Sequence, residues 1–331
     1  MQKHILNQNI LKNKIKLNEK KKFSLIIGYN PSQGARSPKL WNRAYKKLKI
    51  FKKMYPADVD RKNLQRLVNN IRSCENFVGG SVTMPYKTKI MKFIDVIEPQ
   101  AKVIGSVNTI KRQNNKIYAT NTDYEGCLET LKKFNININQ NILILGCGGA
   151  GKACILAVLK SFRKNKIFLL NRDYKKAKNF LLKKKLNKIK LIRDYKKIKN
   201  YNFKLIVNTT SVGFDSWIKS NKGYFNLKYF SPICKNTNIK KIKSKNPKEF
   251  LKKNYNLIKK NKIETTIFIK KNKPDLFDII YNPKKTLLIK LGNISKKKYK
   301  NGLQMNLDQA IKGFMYANKI KNFSKVKRAM I

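Results

Sequence analysis

The chain has 331 residues, 41% of them hydrophobic, and 77 Lys and Arg stand against 17 Asp and Glu. The recurrent aliphatic runs exclude a largely disordered chain, and none approaches the roughly 18 apolar residues that a membrane span needs. The single histidine, His4, lies in a polar N-terminal stretch without a signal-peptide core, so we expect a cytoplasmic protein whose proton transfers use another residue type.

The formal net charge of +60 suggests binding to polyanions or, alternatively, the composition of an AT-rich genome. Lysines are spread along the whole chain and no nucleic-acid-binding motif accompanies them, which favours composition. We therefore predict no specific nucleic-acid partner and no membrane partner, with only weak attraction to polyanions at low salt. The five cysteines form no CxxC pair and no metal-ligand spacing, a pattern typical of free thiols in a reducing compartment.

Residues 1–22 are predicted to be a basic, loosely ordered extension with some helix. The next hundred residues alternate between strand-like and helical patterns. In chain order they predict a strand at 23–29, helices at 38–48 and 57–73, a strand at 79–85, a helical stretch at 86–104 broken at Pro99, and a hairpin at 106–123.

After a helix at 124–134, residues 141–171 read as strand, glycine turn, helix and strand, which predicts a βαβ unit in a parallel sheet. Two further strands fit at 204–208 and 276–281. Between them, 216–270 contains 15 lysines, two glutamates and no aspartate, and it is predicted to be an inserted, mobile surface loop with fragments of helix. A last amphipathic helix is predicted at 306–322.

The glycine turn matches the GxGxxG pattern at Gly146, Gly148 and Gly151. It follows an aliphatic strand and opens a helix, which is the context that binding of a dinucleotide requires. Gly146 permits the tight turn, Gly148 lets the backbone approach the pyrophosphate, and Gly151 allows close packing of helix and strand. The phosphates would then lie at the positive end of the helix dipole.

The end of the following strand bears on which dinucleotide is bound. Asn171 and Arg172 favour NADP, because an arginine there can bind the 2′-phosphate. Asp173 favours NAD, since an acidic residue at this point accepts hydrogen bonds from the ribose hydroxyls. We predict NADP as the cofactor and keep NAD as the alternative.

Eight short motifs, collinear over roughly 28–320 apart from the insertion, together resemble the shikimate dehydrogenase family. Collinear order over most of the chain makes this resemblance more specific than any single motif. The matching segments are 81–87 (SVTMPYK), 104–109 (IGSVNT), 121–123 (NTD), 146–151 (GCGGAG), 171–172 (NR), 207–213 (VNTTSVG), 281–283 (YNP) and 302–305 (GLQM) with Gln309.

The resemblance implies that Lys87 and Asp123 form the catalytic pair. Reduction of a ketone leaves negative charge on its oxygen, and a positioned ammonium group stabilises that charge and supplies the proton. Burial lowers the pKa of a lysine and a nearby carboxylate raises it, so Asp123 would orient and tune Lys87.

The resemblance also implies a set of binding residues. For the substrate it implies Thr83, Asn108 and Gln309, together with Ser37 and Tyr281 near its carboxylate. For the cofactor it implies Gly146, Gly148, Gly149, Ala150, Gly151, Asn171, Arg172, Thr209, Gly302 and Met305, the last beside the nicotinamide.

One loop departs from the family pattern. The family's carboxylate-binding loop usually reads HSxSP, whereas Ala35 here replaces the first serine. We hypothesise that Ser32 or Arg36 compensates for the lost hydroxyl, Arg36 by bringing charge to an anionic group. The loss bears on the identity of the acid more than on the reaction type.

The expected fold is α/β with two domains and the active cleft between them. Residues 23–123 with 304–331 would form the substrate-binding domain, and 124–303 a Rossmann-like NADP-binding domain. The expected activity is reduction of 3-dehydroshikimate to shikimate, with a homodimer as an option for the assembly. The alternatives are a quinate or other cyclitol dehydrogenase using NAD, and a degenerate binding protein without catalysis.

Overall fold

The computed structural model describes residues 9–18, 21–235 and 238–331. The chain divides into two compact units. The first unit comprises Met1–Gly126 and Leu307–Ile331, and the second unit comprises Cys127–Asn306. The second unit is therefore a continuous stretch inserted into the sequence of the first.

Each unit contains a six-stranded sheet, and the second unit also contains a two-stranded hairpin. The strands of the first unit are β1 (Phe23–Gly28), β2 (Lys53–Asp58), β3 (Phe77–Val82), β4 (Val96–Ile97), β5 (Thr109–Gln113) and β6 (Lys116–Thr120). Those of the second are β7 (Asn141–Leu145), β8 (Lys166–Leu170), β9 (Ile189–Ile192), β10 (Leu205–Asn208), β11 (Trp217–Ser220), β12 (Gly223–Asn226), β13 (Asp275–Asp278) and β14 (Tyr299–Lys300).

Helices alternate with most of these strands. They are α1 (Ser37–Lys47), α2 (Leu64–Ser73), α3 (Pro99–Ile104), α4 (Asp123–Leu131), α5 (Gly149–Ser161), α6 (Tyr174–Lys183), α7 (Pro247–Asn272), α8 (Leu287–Gly292), α9 (Gly302–Asn318) and α10 (Phe323–Met330). Among the residues described, none of these helices combines the length and the apolar character needed to cross a membrane.

The sheet of the first unit has the order β2-β1-β3-β5-β6-β4. Strand β1 is parallel to both of its neighbours, whereas β5 is antiparallel to β3 and β6. Every residue of β1 is buried, because hydrophobic clusters cover both faces of the sheet. Leu25 and Ile27 belong to one cluster, and Ile26 between them belongs to another with Trp41 of α1 and Phe314 of α9.

The six-stranded sheet of the second unit is entirely parallel, with the order β14-β13-β10-β7-β8-β9. Counted in chain order, its strands run 3-2-1-4-5-6, the arrangement of doubly wound dinucleotide-binding folds. The order reverses between β7 and β10, and ligands of such sheets bind at the carboxyl ends of the strands beside that point. The predicted α/β class with a Rossmann-like domain is confirmed.

Apart from residues 236–237, which lie outside the described residues, the lysine-rich segment 216–270 is a folded part of the second unit. The prediction of a surface loop with fragments of helix was wrong, because the segment contains the β11–β12 hairpin and most of α7, a helix of 26 residues. Phe230, Ile239, Ile242 and Phe250 form its own hydrophobic cluster.

Asparagines explain how so basic a segment folds. Asn246 caps α7 by accepting hydrogen bonds from the next backbone N–H groups, with Pro247 as the first helical residue. Asn254 and Asn261 lie on α7 seven residues apart, and each pairs with both backbone groups of one loop residue, Lys240 and Ser231 respectively. The high lysine content of 216–270, on which the prediction of a loop rested, gave no indication of these contacts.

The N-terminal extension is also more ordered than predicted. Residues 9–18 lie alongside the edge strand β2. Leu11 is buried and forms an antiparallel bridge with Val59, the residue directly after β2. The amide of Asn13 accepts from the backbone N–H of Asp58 and donates to the backbone oxygen of Pro56. The predicted loose extension was therefore wrong for 9–18, while 1–8, including His4, and 19–20 lie outside the described residues.

Several predicted boundaries shift. The helix predicted at 57–73 begins only at Leu64, since 53–58 form β2, whose Pro56 is tolerated on an edge strand. The stretch 86–104 contains a 3-10 turn at Lys89–Phe93, the short β4 and α3 instead of one broken helix. The C-terminal helix predicted at 306–322 spans Gly302–Asn318, and a separate α10 follows it.

Candidate active site

Lys87 and Asp123 lie side by side in the first unit. The Nζ atom of Lys87 is 2.5 Å from Oδ2 of Asp123, and their side chains are 18% and 6% exposed. Lys87 follows β3 in a turn that is fixed on both sides: the Tyr86 hydroxyl donates to the Val59 oxygen, and the Val107 N–H donates to the Lys87 oxygen. Asp123 is the first residue of α4. The structure thus brings together the two residues predicted to form the catalytic pair.

Asn108 is the centre of the hydrogen-bond network around this pair. Its Nδ2 lies 3.0 Å from Oδ1 of Asp123 and 3.1 Å from Oε1 of Gln309, which projects from α9. The two carboxylate oxygens of Asp123 therefore have separate partners: Oδ1 accepts from an amide and Oδ2 accepts from the ammonium group of Lys87. This division fixes the carboxylate plane and so the direction in which it holds the ammonium.

Thr122 is a member of this network that the sequence did not single out. Its backbone N–H donates to Oδ1 of Asn108 at 2.8 Å, and its hydroxyl donates to the backbone oxygen of Gln309 at 2.9 Å. Asn121 also contributes, because its Oδ1 accepts from the Asp123 backbone N–H. The NTD motif contained the signal, but only its aspartate was chosen as a site residue.

The other predicted substrate residues are more dispersed. Ser37 is buried at the start of α1, and Thr83 is half-buried directly after β3, where its N–H donates to the Ile27 oxygen. Tyr281 belongs to the second unit, where its ring packs edge-on against Phe214.

The position of Ser32 bears on the missing family serine at Ala35. The Ser32 hydroxyl donates to Oδ2 of Asp58, and the Ser32 N–H donates to Oδ1 of the same carboxylate. The hydroxyl hydrogen is therefore already engaged, which argues against the hypothesis that Ser32 compensates for Ala35. Arg36 stays the other hypothesis.

In the second unit, the glycine turn packs against the residue that follows β10. The Thr209 hydroxyl donates to the backbone oxygens of Leu145 and Gly146, at 2.8 and 3.1 Å. A Cβ atom at Gly146, whose φ is +102°, or at Gly151 would lie under 3 Å from this hydroxyl oxygen. Thr209 thus occupies the space that the two glycines leave, and it joins β10 to the turn at the point where the strand order reverses.

Gly148 differs from these two glycines. It precedes the first residue of α5 and is exposed, and a Cβ atom there would meet no heavy atom within 4 Å. Open space thus lies at the N-terminus of a 13-residue helix, where backbone N–H groups and the helix dipole attract anions. Gly149, Ala150 and Gly151 form the first turn of this helix. These residues fit the pyrophosphate of a dinucleotide.

The three residues after β8 differ in their contacts. Oδ1 of Asn171 accepts from the Cys147 N–H at 3.0 Å, so this side chain fixes the glycine turn. Oδ1 of Asp173 accepts from the Lys176 N–H at 3.0 Å and caps α6. Arg172 between them is exposed. The acidic residue that favoured NAD in the sequence therefore has a structural role of its own.

Gly302 and Met305 lie in the first turn and a half of α9. A Cβ atom at Gly302 would lie 1.8 Å from the backbone oxygen of Ile279, so close approach of the two backbones requires glycine here. Met305 is buried. Packing alone accounts for Gly302, so its assignment to cofactor binding stays a prediction.

Comparison with known proteins supports the same conclusion as the geometry. Residues 26–110 match the family described as shikimate dehydrogenase substrate binding domain. The shikimate dehydrogenase (NADP(+)) of Pelagibacter ubique is 34% identical over 305 residues, covering 91% of this chain and 94% of the relative. This chain belongs to the shikimate dehydrogenase family. The enzyme of the same name from Dictyoglomus turgidum is 31% identical over 86% of this chain and 87% of its own length.

The fold of this shikimate dehydrogenase family member is shared with solved structures. A shikimate dehydrogenase crystallised in complex with NADP+ aligns over 95% of this chain and 96% of its own, with a TM-score of 0.69 and 25% identity. The resemblance inferred from the eight motifs is therefore confirmed.

Proposed function

We propose that this chain catalyses the reversible reduction of 3-dehydroshikimate to shikimate with NADPH. The observation that carries the proposal is the contact between the Lys87 ammonium and the Asp123 carboxylate, in a network that also contains Asn108 and Gln309. The curated relatives named shikimate dehydrogenase (NADP(+)) support the substrate and the cofactor.

A reduced nicotinamide, when bound, supplies the hydride. As hydride reaches the substrate carbonyl, negative charge develops on its oxygen, and the Lys87 ammonium stabilises that charge and then transfers a proton to the oxygen. In the oxidative direction a neutral Lys87 removes the proton of the hydroxyl group. Histidine is the usual alternative for such a proton transfer, and the sequence has only one, His4. We therefore assign the proton transfer to Lys87.

Asp123 and Asn108 hold Lys87 in position. Because Oδ1 of Asp123 is bound by the Asn108 amide, Oδ2 faces the ammonium group. Gln309, and with it Thr83 and Ser37, would bind the hydroxyl and carboxylate groups of a small polyol acid. Such a substrate requires many polar partners, since each unmatched buried donor or acceptor costs about 1–3 kcal/mol.

The first unit would then bind the substrate and the second unit the cofactor, with Thr209 and the glycine turn at the pyrophosphate. Arg172 would bind the 2′-phosphate of NADP, as Asp173 is engaged in capping α6. Tyr281 and Met305 would contact the substrate carboxylate and the nicotinamide. All five cysteines are buried free thiols, which fits a reducing compartment such as the cytoplasm.

An absorbance assay of nicotinamide reduction tests the proposal. Shikimate and quinate are each offered with NADP+ and with NAD+, and 3-dehydroshikimate with NADPH tests the reverse reaction. We expect the highest kcat/KM with shikimate and NADP+. Preference for quinate and NAD+ would favour the cyclitol dehydrogenase, and no turnover in either direction would favour a degenerate binding protein.

A further inference from the structure

A buried carboxyl group lies at the carboxyl end of β13, outside the residues assigned so far. Asp278 is fully buried and accepts three hydrogen bonds. Oδ1 accepts from Nδ2 of Asn208 and from the N–H of Ile280, both at 3.0 Å, and Oδ2 accepts from the Thr286 hydroxyl at 2.7 Å. Each of these three donors belongs to a different segment or turn of the second unit.

The first of these donors organises the loop after β10. Oδ1 of Asn208 accepts from both the N–H and the hydroxyl of Thr210, and its Nδ2 donates to the Val212 oxygen as well as to Asp278. Thr209 follows directly, and its hydroxyl occupies the glycine turn. Asp278 therefore holds the side chain that gives the 208–213 loop its shape.

The second donor fixes the chain after β13. The Ile280 N–H is bound by the side chain of Asp278 two residues earlier, which closes a tight turn immediately before Tyr281. The Ile280 oxygen accepts from the N–H of Gly302 at 2.9 Å, where α9 begins. The Asp278 carboxyl group is thus connected directly to the 279–283 loop, which contains Tyr281. Through one further hydrogen bond, from Gly302 to Ile280, it is connected to the start of α9.

A buried carboxyl group at this position is explained better by the donors it holds in place than by a contribution to the stability of the fold. Its three partners are neutral, and burial raises the pKa of Asp278 to about 7. A buried carboxyl group without a cation is costly, and an apolar side chain of similar size is the cheaper way to fill such a space. A carboxylate offers acceptors on both oxygens, however, and so satisfies all three donors at once.

We propose that Asp278 is a positioning residue that holds the 208–213 loop and the 279–283 loop in fixed relation at the carboxyl end of the parallel sheet. Its effect on turnover rests on the proposed function, since that function gives Thr209 and Tyr281 their roles in cofactor and substrate binding. Its effect on the two loops does not.

Three substitutions in the 331-residue chain test this inference. Asp278→Ala removes both carboxylate oxygens and with them all three hydrogen bonds, whereas Asp278→Asn keeps Oδ1, which accepts two of the three. Asp278→Ser keeps a short acceptor for the turn at Ile280 but does not reach Asn208. The matched control is Asp275→Ala at the opposite end of β13, which removes one bond, from the Lys298 N–H to the carboxylate.

Hydrogen–deuterium exchange of 208–213 and 279–283 is the first measurement. We expect exchange to rise at least about tenfold in both segments in Asp278→Ala, because loss of one buried bond is worth about 1.4 kcal/mol. Asp278→Ser should loosen 208–213 more than 279–283, Asp278→Asn should lie near the parent protein, and Asp275→Ala should change neither segment.

Steady-state kinetics is the second measurement. Asp278→Ala should raise the KM for NADP+ at least about tenfold, with substantial recovery in Asp278→Asn. A merely structural role lowers kcat through the folded fraction and leaves KM unchanged. Equal exchange in parent and Asp278→Ala, or a loss in kcat alone, would overturn the proposal.

If Asp278→Ala does not fold, Asp278→Ser decides, and unchanged exchange at 208–213 in that variant contradicts the inference. If the parent protein turns over neither shikimate nor quinate, the proposed function fails, while the exchange measurements still decide whether Asp278 holds the two loops.

Discussion

The two candidate binding regions of this protein are built on opposite principles. In the first unit, Lys87, Asp123, Asn108 and Gln309 form a network in which charged and polar side chains contact one another. In the second unit, the glycine turn offers backbone N–H groups and open space at Gly148. The first region would bind its ligand through polar side chains, and the second through backbone groups that the missing glycine side chains leave accessible.

This difference determines how each region responds to substitution. Removing a group from the polar network deprives its buried partners of a hydrogen bond or an opposite charge, so catalysis should fall steeply. Adding a single carbon to the glycine turn should instead affect packing at one position and ligand approach at another.

The largest effect is expected at Lys87. Lys87→Ala removes the group that stabilises the developing charge and transfers the proton, and kcat should fall about 10²–10⁴-fold. Binding of NADPH, measured by its fluorescence, should be unchanged. Lys89→Ala, an exposed lysine two positions further on, is the matched control and should leave kcat within about twofold of the parent.

Asp123→Asn is a milder substitution in the same network, and it tests the effect of the negative charge beside Lys87 while the shape of the side chain is kept. Asp123→Asn keeps an oxygen for one partner but removes the negative charge beside Lys87, so kcat should fall less than in Lys87→Ala. A Lys87→Ala protein that retains most of its turnover would remove the basis of the proposed mechanism.

The second prediction compares two of the buried aspartates, Asp123 and Asp278. Asp123 has an ammonium partner, whereas Asp278 has only neutral ones, and burial raises the pKa of Asp278 from 3.8 to about 7. The folded protein therefore binds an extra proton between about pH 4 and pH 7, and stability falls as pH rises through this window. Three units of pKa correspond to about 4 kcal/mol at most.

Asp278→Asn removes this titration. Relative to the parent protein, its free energy of unfolding should increase as pH rises from 4 to 7 and then level off. Urea unfolding at pH 4, 5.5, 7 and 8 (on the order of one unit apart, to span the window) measures the difference. Asp275→Asn corrects for the general loss of a negative charge, and a pH-independent difference would show that Asp278 is ionised throughout.

The third prediction uses two glycines of one turn. In Gly151→Ala the new methyl group would lie 2.7 Å from the Thr209 hydroxyl oxygen and 2.9 Å from the Gly146 oxygen, so stability should fall by about 1–3 kcal/mol. In Gly148→Ala it meets open space, so stability should hold while the KM for NADP+ rises. Thermal unfolding and KM measured on both variants check this split; a destabilised Gly148→Ala would contradict it.

Local signals were sufficient for part of this structure. The aliphatic run before Gly146 and the helix after it predicted the βαβ unit, because strand periodicity and glycine spacing are both short-range features. The pairing of Lys87 with Asp123 followed from family motifs. Strand β2 was missed, since Pro56 argues against a strand unless its edge position is known.

Features that depend on tertiary structure were not predictable in this way. Asp278 meets Asn208, 70 residues earlier, only because β10 and β13 are adjacent and pair these two residues in register. Likewise, the lysine content of 216–270 indicated a loop, whereas the contacts of Asn254 and Asn261 with distant backbone groups hold a long helix in place. In both cases the information lies in which strands or loops become neighbours.

The smallest effect is expected at Arg172, where the sequence left two cofactors open. Because Asp173 caps α6, we expect the exposed Arg172 beside it to determine which cofactor is bound. Arg172→Ala should lower kcat/KM for NADP+ about tenfold, because a charge-assisted hydrogen bond to a phosphate is worth about 1.5–3 kcal/mol before solvent screening. The same ratio for NAD+, which has no 2′-phosphate, should stay within about twofold and serves as the internal control. Equal losses with both cofactors would show that Arg172 supports the turn instead of recognising the phosphate.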